Sequence, residues 1–189
     1  MHSNGDWISF LGAGDRFYSK KTLSSLVSYI KNEEANFISG IIFMEDSEKN
    51  FLGNLGNQWN LKAIKNNITI GHPGSLHHKS LFLKNGNFNK NYQICGDYEF
   101  LLRSSKSISA KFYPYYIVKM DNVGISNQKP FIAIYESAKA IYLNLDFGLY
   151  WSIRYTLFSL SKTIFKRFLL SFTIGEIIFK FIKREKIDK

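Results

Sequence analysis

Residues 5–18 read GDWISFLGAGDRFY. The apolar run WISFL, residues 7–11, has the length and residue types of a buried strand. It ends in GAGD, where glycine frees the backbone for a tight turn that presents one carboxylate, Asp15. The next stretch, SKKTLSSLVSYIKN (19–32), spaces Leu23, Leu26, Val27 and Ile30 as a helix does, with Ser19 placed as its cap. Strand, glycine turn, acid and helix in that order point to an α/β fold, in which ligands bind at the carboxyl edge of the sheet. Asp15 suits a turn former or helix cap. It equally suits a ligand of a hard cation such as Mg²⁺ or Mn²⁺, which prefers carboxylate and phosphate oxygens.

Working outward, NFISGIIFM (36–44) reads as a second apolar strand. FLGNLGNQWNLKAIKNN is expected to be irregular, with a short helix near Leu61 to Ile64. Turn signals stand at Gly71, Pro73 and Gly74. NYQICGDYEFLLRSSK places Asp97 where a loop enters a helix, so its carboxylate is either an N-cap or a rigidly held general base. Hydrogen bonds from a helix end lower basicity, so one carboxylate cannot serve fully as both. Glu99 is expected on the solvated side. KFYPYYIVKM (111–120) reads as a strand in which Pro114 favours an edge position, and from Phe131 the pattern is helical nearly to the end. His72, His77 and His78 cluster, but their spacing fits no zinc motif and suggests structural or substrate contacts.

With 45% hydrophobic and 21% charged residues, 17 Phe and 11 Tyr, the 189-residue chain has the composition of a packed globular protein. Its net charge of +10 is concentrated in residues 151–189, which hold nine Lys or Arg against three Asp or Glu. Cys95 is the single cysteine, expected as a buried thiol in a reducing compartment. MHSNGDW is no signal peptide, and no uncharged run approaches the ~18 to 20 residues of a bilayer span, so a cytoplasmic setting is expected. Despite the positive charge, the chain has no RNP-like strand, GXXG clamp or zinc-finger spacing, which argues against nucleic acid as a partner.

Three segments, in order, carry a family likeness. GDWISFLGAGDRFY resembles the run into the acidic metal motif of inverting, GT-A-type family 2 glycosyltransferases, in the polysaccharide-assembly branch. LHHKSLFLKNGNFNKNYQICGDYEFLLRS resembles the acceptor-side stretch of that family, where a histidine-led apolar strand precedes a turn and an aspartate entering a helix. NVGIS (122–126) is similar to the glycine-serine turn that follows. The resemblance implies a partial GT-A, Rossmann-like α/β domain over residues 1–130, lacking the usual N-terminal nucleotide-binding portion, followed by a helical, basic amphipathic tail over 131–189. It implies Asp97 as catalytic base, Asp15 at a Mg²⁺ or Mn²⁺ and diphosphate site, and His78, Gly124 and Ser126 as substrate-binding residues. The partners implied are a nucleotide-sugar donor and a saccharide or lipid-linked acceptor. The sequence departs from the family at Gly12 and Gly14, where aspartates are usual, and at Asn89.

The tail has a broad apolar face with Lys162, Lys166, Arg167, Lys180, Lys183 and Arg184 grouped near the other. It suits peripheral contact with an anionic membrane, or packing on the domain with its lysines solvated. The alternative to an autonomous transferase is an inactive fragment or interaction module that pairs with another glycosyltransferase chain.

Overall fold

The computed structural model of the protein describes residues 4–31, 34–66, 68–121 and 124–171, the side chains of 169–171 excepted. Expectations for the basic end of the tail, 172–189, and for residues 122 and 123 lie outside the described residues. Strand β1 (Trp7–Ser9) is shorter than the predicted 7–11, because Phe10 leaves the ladder and inserts its ring against His72, Phe82 and Phe88. After the glycine turn come β2 (Arg16–Phe17) and α1 (Thr22–Ile30). Helix α1 begins later than predicted, and Ser19 does not cap it: the Ser19 hydroxyl accepts from the Lys21 N–H in the turn before the helix. Of the four apolar residues at helical spacing only Leu26 is fully buried.

Strand β3 (Phe37–Glu45) matches its expectation, while Phe51–Leu55, expected to be irregular, forms β4. Helix α2 (Leu61–Ile64) is capped by the Asn60 side chain, which accepts from the N–H groups of Lys62 and Ala63. A single 3₁₀ turn, His72–Gly74, leads into β5 (Ser75–His78). Next is α3 (Lys79–Asn85), where the resemblance implied a continuing strand. The helix wins because His78 caps it, Leu81 and Phe82 bury side by side, and Gly86 at φ +80° stops it. The remaining elements are α4 (Gly96–Arg103), β6 (Ala110–Asp121), α5 (Ile125–Gln128), α6 (Pro130–Asn144) and α7 (Gly148–Ser171).

The strands form one sheet in the order β1-β5-β3-β6-β2, with β4 also paired to β3. Strand β3 runs parallel to β6 and antiparallel to β5, which is antiparallel to β1. Hence β1, β3 and β6 all point the same way. Their carboxyl ends lie along one edge of the sheet, joined there by the amino end of β5.

Consecutive residues of a strand face opposite sides, and β3 shows two cores accordingly. Phe37 belongs to the larger one, with Tyr98, Phe100 and Leu102 of α4, Ala140 and Ile141 of α6, and Tyr155 of α7. Ile38 belongs to the smaller one, with Leu26 of α1 and Tyr113, Ile117 and Val118 of β6. Helices α6 and α7 thus contribute to the main core while also exposing a broad apolar surface. They are separated by a corner at Phe147 (φ +55°) and Gly148, where a Cβ would fall 2.3 Å from the Tyr142 carbonyl oxygen. Among the described residues no helix is long and apolar enough to cross a membrane.

Candidate active site

The carboxyl edge of β1, β3 and β6 gathers three acids: Asp15 beyond β1, Glu45 at the end of β3 and Asp121 at the end of β6. Asp15 closes a turn in which its N–H donates to the Gly12 carbonyl at 3.1 Å and its Oδ2 accepts from the Gly12 N–H at 2.9 Å. Gly14 occupies the third position at φ +91°, the place where such a turn requires glycine. A Cβ on Gly12 would lie 2.9 Å from that Oδ2, so glycine there lets the carboxylate fold back. Burial pushes the Asp15 carboxyl above its ordinary value, the Gly12 and Asp121 N–H groups work against this, and the nearby Asp121 charge adds to it. Asp121 Oδ1 is buried and has no hydrogen-bond partner among the described residues.

Glu45 is neutralised instead. Arg16 grips it with two bonds of 2.6 and 2.8 Å, and Lys49 adds a third contact at 3.1 Å. Arg16, opposed by burial and aided by Lys49, holds the Glu45 carboxyl below its usual range. Two neighbouring acids therefore have opposite fates: one is locked by cations, while Asp121 retains an unsatisfied oxygen. Among the described residues no group of three or more His, Cys, Asp or Glu is placed to hold a metal ion.

Asp97 lies in the first turn of α4. The structure separates the two roles that the sequence left competing for it. Cys95, not Asp97, occupies the cap position and makes no side-chain cap bond. The preceding loop is held by Glu136 of α6, whose carboxylate accepts from the N–H groups of Gln93, Ile94 and Cys95 at 2.8, 2.9 and 2.9 Å. Burial alone would raise the Glu136 carboxyl; the three donors overcome it and hold the group below its ordinary value. Asp97 is left without a cap bond, on a helix fixed further by the Tyr98 hydroxyl donating to the Ile64 carbonyl at 2.8 Å.

Glu99, expected in solvent, is 3% exposed and paired with Arg103 at 2.8 Å. Arg103 also donates to the carbonyls of Asn85 and Asn87 at the end of α3, so the helix turns Glu99 inward to organise that arginine.

Within reach of the Asp97 charge is His72, stacked on Phe10 at 4.7 Å. Burial depresses its imidazole pKa, and the Asp97 carboxylate acts in the opposite direction. His77, one turn of chain further, is fully enclosed by Phe10, Phe37, Phe82 and Phe100, which drives its pKa down to about 3. Cys95 is buried as expected, its thiol pushed up to about 11 by burial.

The structure brings Asp15, Asp121, His72 and Phe10 to one edge, with Asp97 beside His72. Gly124 and Ser126 are exposed and follow the end of β6 on that edge. It does not bring His78 there. His78 pairs with Trp7 at the other end of β1, beside the Asp6–Lys79 ion pair, and its Nδ1 bonds Ser80 and caps α3. Asp121 and Glu136 were not singled out from sequence. Asp121 ends an apolar strand just as Asp15 does, and Glu136 is the lone acid in the apolar helix PFIAIYESAKAIYLN.

This architecture is that of part of a GT-A domain with a helical tail. The crystal structure of S. aureus TarS 1-349 is similar to it with a TM-score of 0.51 over 86% of this chain and 50% of that one, at 13% identity, a likeness of fold alone. No family model matches the chain. In sequence it is 28% identical over 102 residues to the PGL/p-HBAD biosynthesis glycosyltransferases of Mycobacterium bovis (strain BCG / Pasteur 1173P2) and Mycobacterium tuberculosis (strain ATCC 25177 / H37Ra). That match takes in 53% of this chain and spans 38% of the length of those relatives. The chain is thus a distant, partial match to GT-A glycosyltransferases.

Proposed function

We propose that the chain transfers a sugar from a nucleotide-diphospho-sugar to a saccharide or lipid-linked acceptor with inversion, in polysaccharide or lipopolysaccharide assembly, with Asp97 as general base. The observation that carries this reading is the freedom of Asp97. Its neighbours Glu99 and Glu136 are committed to Arg103 and to three backbone N–H groups, whereas Asp97 makes no side-chain hydrogen bond among the described residues. Glu136 supplies the loop clamp, so Asp97 keeps its lone pairs for an acceptor hydroxyl. It takes that proton as the oxygen attacks the donor's anomeric carbon from the face opposite the leaving diphosphate, which inverts the centre.

Asp15 and Asp121 fit the donor side. A buried carboxylate oxygen without a partner beside a second, partly desolvated carboxylate is a donor set for a hard cation. Mg²⁺ or Mn²⁺ held by these two would neutralise charge on the diphosphate. Gly124 and Ser126, exposed just past Asp121, are the acceptor- or donor-contacting candidates on that edge. On α6, α7 and the corner between them, Tyr135, Phe147, Leu149, Leu157 and Phe165 are each more than half exposed. Lys162, Lys166 and Arg167 lie on the same helical pair, which supports peripheral contact with an anionic membrane at its cytoplasmic face.

A second reading, an interaction module pairing with another glycosyltransferase chain, is favoured by one observation. Strand β1 pairs with β5 only, leaving its other edge with unpaired backbone groups among the described residues. Calorimetric titration with UDP-, GDP- and dTDP-sugars in Mn²⁺ separates the two. The first reading expects binding that Asp15→Ala abolishes, and turnover that Asp97→Asn lowers by about 10²- to 10⁴-fold with an unchanged unfolding midpoint. Absence of any nucleotide-sugar binding by the folded chain leaves the module.

A further inference from the structure

Strand β6 does not follow β3 evenly. Gly40 is opposite Tyr113 but Ile41 is opposite Tyr116, so Pro114 and Tyr115 form a two-residue bulge. A second shift follows at once, and Ile117 occupies the space that a side chain on Gly40 would need, its Cδ1 lying 2.4 Å from where that Cβ would be. Bulges re-aim side chains, and this one turns the Tyr115 ring outward, 64% exposed. The result is a groove of about 890 Å³ between α1 and β6, within the ~300–1,000 Å³ of small-molecule sites.

The lining is chemically uniform. Tyr115 meets the edge of Tyr113, with ring centroids 5.2 Å apart at 62°. Tyr18 and Tyr116 stack at 4.7 Å, with Lys119 on the Tyr18 ring, so that pair forms a wall rather than an open platform. From α1, Ser25 and Ser28 enter the groove one helical turn apart, both exposed. Ser24 returns its hydroxyl to the Lys21 carbonyl, whereas the hydroxyls of Ser25 and Ser28 make no such bond among the described residues. Among the described residues no Asp, Glu, Lys or Arg lines the groove.

We propose that this groove is a second saccharide site, one that binds a neutral oligosaccharide without acting on it. An open ring with free hydroxyls across from it matches a pyranose, which offers an apolar C–H face and a hydroxyl rim. The absence of charge disfavours nucleotides, phosphates and acidic glycans. An added peptide strand is disfavoured too, because Pro114 has no N–H and the bulge breaks the ladder that such a strand would extend. The site is across the sheet from Asp97: Tyr113 packs with Ile38 and Leu26, whereas α4 packs with Phe37.

The test is an NMR titration of the full chain with neutral hexasaccharides of α-1,4-glucose, β-1,4-glucose, mannose and N-acetylglucosamine, with a heparin hexasaccharide and an extended Val-Thr peptide as comparators. At least one neutral hexasaccharide is expected to shift the amides of Tyr113, Tyr115 and Tyr116 and of Ser25 to Ser28. Tyr115→Ala should weaken it about tenfold, Tyr115→Phe should keep most of the affinity, and Asp97→Asn should keep all of it. The proposal is overturned by no shift at these amides with any neutral hexasaccharide, by binding that ignores Tyr115→Ala, by shifts confined to the Asp97 edge, or by binding of the heparin or the peptide alone. Because Tyr115 is a surface side chain, its variants test recognition rather than folding.

Discussion

The underside of the sheet and the outer surface of α6 and α7 are built from the same residue types and treat them oppositely. Beneath the sheet, Phe100, Leu102 and Ile141 are wholly buried, and Phe100 touches His77, Phe82 and Phe88. On the outer surface Phe147 is 85% exposed and Tyr135 67%. Apolar content therefore does not say what is core. Burial on the first surface stabilises the fold, while exposure on the second provides a face for something else.

The sharpest way to break this comparison is a pair of truncations. Phe100→Ala should cost about 3–5 kcal/mol in urea unfolding, whereas Phe158→Ser on α7 should stay within about 0.5 kcal/mol and instead weaken sedimentation with anionic vesicles. Equal costs would mean that the outer surface is core after all.

A second contrast lies inside the buried side. His77 is enclosed and its pKa is driven down to about 3, so the unfolded chain binds its proton first as pH falls. Its stabilising effect is therefore complete above the unfolded value of ~6.5 and declines as pH drops toward about 3, by roughly 1.4 kcal/mol per unit in that window. The wild-type slope of stability against pH should exceed that of His77→Gln between pH ~6 and ~4. Identical slopes would show that His77 is protonated in the native state.

Glu136 sharpens the comparison at the boundary, since it stands on α6 but serves the loop before α4. Glu136→Ala strands three N–H groups and should cost about 1–3 kcal/mol. Its folded pKa is lowered, so the contribution is present above the ordinary carboxylate range and is lost as pH falls through the depressed value. Guanidinium titrations of both proteins at neutral pH and in mild acid should converge at the acid end.

Much of the fold was legible where a pattern was local. The run into Asp15, the strand read at 36–44 and the switch to helices after Pro130 follow from periodicity and glycine placement. Strand β4 was not legible, because FLGNL carries two turn-prone residues and is recruited only by β3. Of the candidate site residues, Asp15 and Asp97 could be singled out because the one follows an apolar run and the other begins a helix. Asp121 and Glu136 depend on contacts 106 and 41 to 43 residues distant in sequence, to Asp15 and to the 93–95 loop, and no spacing rule reaches so far. Glu99 was misplaced for the same reason: its exposure is decided by α3, whose carbonyls hold Arg103.

The grip of Glu136 on residues 93–95 also sets where this chain can be cut. A boundary drawn at the start of the helical segment would divide a carboxylate from the three amides it satisfies, and would strip Ala140, Ile141 and Tyr155 from the core shared with Phe100. Recombination or gene trimming there would release a half with a slack entry to α4. The helices and the strands before them share one core and one clamp, so a cut between them is expected to loosen both sides of it.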